Sequence, residues 1–122
     1  MHSKILDYVN KCINDKKDFT IRIDCNGKLY KPASGFVISI TPLINIGMDT
    51  FEIIKYITSA KNIDIDGKSH KLYLGGWFEN NKDKLTTDIS VVTESIDEAI
   101  QIGKHCNQNA IYNISKQEVI YL

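Results

Sequence analysis

The stretch Leu72-Tyr73-Leu74-Gly75-Gly76-Trp77-Phe78, the polar run Glu79 to Lys84 and the stretch Leu85 to Val92 decide the fold. Two apolar, β-prone segments separated by a short polar turn spell a long hairpin, and a hairpin joins antiparallel neighbours. Gly75-Gly76 inside the first arm predicts a bulge or a close approach by another backbone, because glycine weakens a strand and leaves room. Trp77 and Phe78 are adjacent, so in a strand they point to opposite faces, and at least one of them belongs to the core.

Before this hairpin, Ser3 to Lys16 places Ile5, Leu6, Val9, Cys12 and Ile13 at helical spacing, with Asp7, Asn10 and Lys11 left for the other side. Phe19, Ile21 and Ile23 then alternate with Thr20, Arg22 and Asp24, the period of a half-buried strand. Asn26-Gly27 offers a tight turn, with a returning strand near Lys28. Pro32 and Gly35 bracket a break ahead of Phe36 to Ile40, which is β-branched enough to be a central strand and ends at Pro42. Leu43 to Met48 is apolar without clear period. Asp49 and Glu52 form a capping box for a helix through Ala60 that buries Ile53, Ile54 and Ile57.

After the long hairpin, Ser95 and Glu98 form a second capping box, opening a helix with Ile96, Ala99, Ile100 and Gly103 on one face and Asn107 at its close. Ala110 to Ile114, a turn at Ser115-Lys116, and Val119 to Leu122 finish the chain as another hairpin. The expectation is a single α+β domain over residues 1–122: an N-terminal helix over 1–17, then, over 18–122, a mainly antiparallel sheet of about six to seven strands with two further helices.

A chain of 122 residues, 43% apolar and 9% aromatic, is long enough for one core and too short for two. Fifteen basic and fifteen acidic side chains cancel, which disfavours a field strong enough to draw in DNA or an anionic membrane. No long apolar run follows the start, so neither a leader nor an anchor is expected, and a cytosolic location is. Cys12, Cys25 and Cys106 are odd in number and widely spaced, which suggests reduced thiols rather than a disulfide framework.

Templates for chemistry fit poorly. Asn62, Asp64, Asp66 and Gly67 imitate the opening of a calcium loop, yet the twelfth position, where a bidentate Glu belongs, falls on Tyr73. His105-Cys106 with Cys12 or Cys25 lacks any close ligand pair, and a buried Cys beside an exposed His is the simpler reading. A Cys-His nucleophile would need folding to bring His70 or His105 to Cys25. Phosphate loops and nucleophile elbows are missing from the sequence, so no metal, cofactor or catalytic residue is expected.

What remains is suited to binding. Arg22 is the only arginine beside fourteen lysines, and a planar guanidinium can grip phosphate or carboxylate through two parallel bonds; equally, it can pair with a neighbouring carboxylate on a wet strand face. Asp88 is an acid among Leu85, Ile89 and Val91. Asn107, Gln108 and Asn109 can read a base edge or ribose, or can cap a helix and turn the chain.

The pattern Gly75-Gly76-Trp77-Phe78, Thr87-Asp88-Ile89-Ser90, Asp97-Glu98-Ala99-Ile100 and Asn107-Gln108-x-Ala110-Ile111-Tyr112, with Gly35 to Ser39 before it, resembles small phage and prophage proteins that include the Thoeris anti-defence proteins of the first type. The resemblance implies a homo-oligomeric sponge in the cytoplasm of a bacterial host, trapping a cyclic ADP-ribose isomer without cutting it; some members also hold cyclic oligonucleotides. Phe78 or Trp77 would then stack on adenine, Arg22 would hold the pyrophosphate, and Asp88, Asn107 and Gln108 would bind ribose, with Lys104 or His105 assisting. The alternative is a module that binds and inhibits a host protein.

Overall fold

The computed structural model describes residues 2–24, 26–44, 49–78 and 84–122. Among these residues three α-helices, α1 (His2–Asp15), α2 (Thr50–Ala60) and α3 (Ile96–His105), and one short 3-10 helix (Thr41–Leu43) accompany nine strands. The strands are β1 (Phe19–Ile23), β2 (Leu29–Tyr30), β3 (Phe36–Ser39), β4 (Asn62–Ile65), β5 (Lys68–Lys71), β6 (Tyr73–Phe78), β7 (Leu85–Thr93), β8 (Ala110–Asn113) and β9 (Glu118–Tyr121). Seven form one sheet in the order β2-β1-β6-β7-β3-β8-β9, antiparallel at every pairing, and β4 and β5 form a separate two-stranded ribbon. The α+β architecture expected from the hairpins is therefore present, with Phe36–Ser39 central between β7 and β8.

The N-cap half of each expected capping box is made, and at Ser95 the return bond is replaced: its amide donates to the Thr93 hydroxyl, while the Glu98 carboxylate accepts from Thr93 and Lys68. The Asp49 carboxylate accepts from the Glu52 amide at 3.0 Å, and the Ser95 hydroxyl accepts from the Glu98 amide at 3.2 Å, each satisfying an amide left free by the first helical turn. The ribbon adds a strand that was not expected: Asp66-Gly67, both with positive φ, turns the chain into β5 and joins it to β4, Ile65 opposite Lys68. The expected polar turn, apart from Lys84, and most of Leu43 to Met48 fall outside the described residues.

Register assigns each side chain to a face. One face carries Phe19, Ile21, Ile38, Leu74, Ile89, Val91 and Ile111, all buried, and receives every α-helix. Tyr8 of α1 meets the Phe19 ring edge-on at 6.1 Å; the Thr50 hydroxyl at the start of α2 lies 3.0 Å from that of Thr87; a Cβ on Gly103 of α3 would touch Ile111 and Ile38. The other face carries Arg22, Tyr73, Asp88, Ser90 and Trp77; its centre is buried as well, with Tyr73 at 7% and Ser90 at 2% exposure, while Trp77 near its end is exposed.

Gly75 and Gly76 explain themselves in this frame. The β6–β7 register runs unbroken from Tyr73 opposite Ser90 to Phe78 opposite Leu85, so there is no bulge. The close approach is made by side chains: a Cβ on Gly75 would stand 2.2 Å from Asp88 Oδ1, and one on Gly76 would stand 2.2 Å from the Phe19 ring.

Candidate functional site

This second face is the candidate site. Arg22 on β1 projects onto it, its guanidinium 4.6 Å from the ring centroid of Tyr30 and 5.7 Å from that of Tyr73. Tyrosine faces attract a cation and hold its plane. Among the described residues no carboxylate lies within ion-pair distance of Arg22, and its buried Nε has no hydrogen-bond partner. Asp24, two residues along, is held below the usual carboxylate range mainly by the Lys28 amide, with Arg22 a lesser cause. Arg22 is thus half-buried against two tyrosines rather than on a wet strand face, and among the described residues it lacks the ion pair that one reading gave it.

Asp88 occupies the middle of the same face, leaning over Gly75 and accepting from the Ser90 hydroxyl at 2.8 Å. Burial pushes its carboxyl upward, against the opposing pull of the Ser90 and Ser39 hydroxyls. Trp77, 40% exposed and two residues along β6 from Gly75, completes the group. The face therefore offers an arginine held by aromatic rings, an exposed indole and a carboxyl set among hydroxyls.

The remaining expected site residues lie elsewhere. Phe78 projects toward the helices, half-buried beside Leu85, while its amide donates to Asp18 at 2.8 Å. Lys104, Asn107 and Gln108 line a shallow depression with Asn109 and Leu122, beside exposed His105 at the end of α3. Helices and open face are on opposite sides of the sheet, so this cluster and the Arg22–Trp77–Asp88 group do not share one pocket within a chain.

The α3 cluster also has a structural duty. Asn107 takes a φ of 57°, its amide donates to the Lys104 carbonyl at 3.1 Å, and the Gln108 amide donates to the Gly103 carbonyl at 2.8 Å. That is a Schellman closure with Asn at the left-handed position, at the negative end of a helix, where a pyrophosphate is disfavoured. Cys12 and Cys106 are buried free thiols, and among the described residues no three His, Cys, Asp or Glu side chains converge to hold a metal ion. Cys25, the remaining thiol, is not among them.

Tyr30, Tyr73, Ser39 and Ser90 were not expected as site residues. Ser90 was available as the residue two beyond Asp88 on the same face. Tyr73 beside Arg22 required knowing that β1 pairs with β6, across more than fifty residues. No family model, curated protein or solved structure matches the chain. No helix among the described residues is long and apolar enough to cross a membrane.

Proposed function

We propose that this chain binds and sequesters, without degrading it, a phosphate-bearing nucleotide of the cyclic ADP-ribose type, as a phage anti-defence sponge in the bacterial cytoplasm. The observation that supports this reading most is Arg22: the chain's only guanidinium, set over two tyrosine rings, with no carboxylate of the described residues engaged. Its fork takes a phosphate in two parallel bonds, an arrangement an ammonium cannot copy. Trp77 supplies a stacking platform for the base, and Asp88 with its serine hydroxyls supplies acceptors and donors for ribose. The reading needs no nucleophile and no metal.

A second reading, a module that covers a host protein, is favoured by the exposed apolar side chains Tyr112, Val119 and Tyr121 on the same face. One experiment separates the two. Purified protein is mixed with nucleotide extract from defending, infected cells, washed, heated, and the released material weighed by mass spectrometry. Intact nucleotide released from the parent but not from Arg22→Lys supports the sponge. A cleaved product indicates an enzyme, and no nucleotide with a co-purifying host protein indicates the second reading.

A further inference from the structure

The two edges of the seven-stranded sheet are treated unequally. The β2 edge is two residues long and is flanked by Lys28, Lys31 and Pro32, the charges and ring that natural sheets use to prevent further pairing. The β9 strand itself carries no Pro, no Lys and no bulge; its one charge is Glu118, with Lys116 in the turn before it.

Hydrogen-bond parity shows what that edge presents. The Leu122 amide donates to the Asn109 carbonyl at 2.8 Å, and in an antiparallel ladder bonded and non-bonded pairs alternate. Ile120–Ile111 is then a bonded pair, whereas Val119–Tyr112 and Tyr121–Ala110 are not. The amides and carbonyls of Val119 and Tyr121 therefore point away from β8. Their side chains are 51% and 80% exposed, and lie on the open face beside Tyr112.

We propose that two copies of the chain join by antiparallel pairing of β9 with β9 about a two-fold axis through Ile120. Of the registers that parity permits, this one uses all four outward backbone groups of each copy, setting Val119 against Tyr121 of the second copy in bonded pairs and Ile120 against Ile120 between them. A β-branched residue opposite an aromatic one is a favoured cross-strand pair. The edge is thus complementary to itself, and a formal net charge of zero opposes no approach between copies. The axis is perpendicular to the sheet, so all α-helices stay on one side and the two open faces become one surface. This holds whether or not a nucleotide is the ligand.

Sedimentation equilibrium of the full chain across the micromolar range should give a monomer–dimer equilibrium. Val119→Pro removes only an outward amide, and Tyr121→Lys changes only an exposed side chain; each should weaken the dimer by about tenfold or more with an unchanged circular dichroism spectrum. Should Val119→Pro fail to fold, Tyr121→Lys carries the test. Ile120→Cys brings two thiols onto the axis, with Cα atoms about 4.5 Å apart in a non-bonded pair, and should form a reducible dimer under mild oxidation where Glu118→Cys and the parent do not. A parent that stays monomeric throughout, a dimer indifferent to Tyr121→Lys, or Ile120→Cys that fails to crosslink would overturn the proposal.

Discussion

Replacing Gly76 with alanine should destabilise the fold through a single aromatic ring. The new methyl would meet three atoms of Phe19 at 2.2, 2.4 and 2.8 Å, where carbon atoms normally rest about 3.5–4.0 Å apart, so the ring must retreat by more than an ångström. Phe19 is buried and has Tyr8 of α1 against its edge, so the retreat loosens the docking of that helix. Overpacking of this kind costs about 1–3 kcal/mol, and the loss of the Tyr8–Phe19 contact adds roughly 0.5–1.5 kcal/mol. Against this stands about 0.4–1 kcal/mol from the reduced freedom of the unfolded chain. The net expectation is a loss of about 1–3 kcal/mol in urea unfolding followed by circular dichroism. Phe19→Leu should cost less in the Gly76→Ala background than in the parent, since the smaller side chain leaves space for the methyl. A Gly76→Ala variant as stable as the parent, or additive with Phe19→Leu, would refute the assignment of Gly76 to the helix-bearing face.

Asp88→Asn should flatten the pH dependence of stability. The folded-state pKa is raised by burial, so the folded chain holds its proton longer than the unfolded one, and stability falls as pH rises from the ordinary carboxylate range through the folded pKa; an unaltered slope in urea titrations at graded pH would contradict this. Trp77→Ala should cost a bound nucleotide about 1–3 kcal/mol with little effect on folding, while Phe78→Ala should lower stability and leave affinity near the parent's, both read by calorimetry beside thermal unfolding. Arg22→Lys should weaken nucleotide binding in equilibrium dialysis at unchanged charge; equal affinity would move the phosphate site elsewhere. Ser95→Ala should lose about 1 kcal/mol of stability in urea unfolding by leaving the Glu98 amide without its acceptor.

Local chemistry was legible in the sequence wherever it was self-contained. The N-caps Asp49 and Ser95, the turn containing Gly27 and the alternation in Phe19 to Ile23 depend on residues within a few positions, and all appear in the structure. The β4–β5 ribbon escaped because its strands, Asn-Ile-Asp-Ile and Lys-Ser-His-Lys, are mostly polar and bury little beyond Ile65 and His70. Its outer arm is tied down through Lys68, whose ammonium reaches Glu98 of α3 at 2.8 Å, a contact that no local pattern encodes. The candidate site was half legible. Arg22, Trp77 and Asp88 stood out by residue type, but their shared face follows from the strand order, and Phe78 and the α3 amides were separated from them by that same order.

The strand order also governs how the chain must assemble. β1 rests against β6, and β3 lies between β7 and β8, so both early strands have their principal partners far downstream. During synthesis, at about 5–20 residues per second, β1 and β3 leave the ribosome seconds before those partners. Until then they have only the two-residue β2 to pair with, and the apolar side chains of Phe19, Ile21 and Ile38 stay uncovered. The β6–β7 hairpin is the earliest platform on which both can settle, which makes the chain's centre the nucleus and its N-terminal third the part most exposed to aggregation. Closing such long loops before any contact rewards them places folding toward the millisecond-to-second end of the scale for domains of this size.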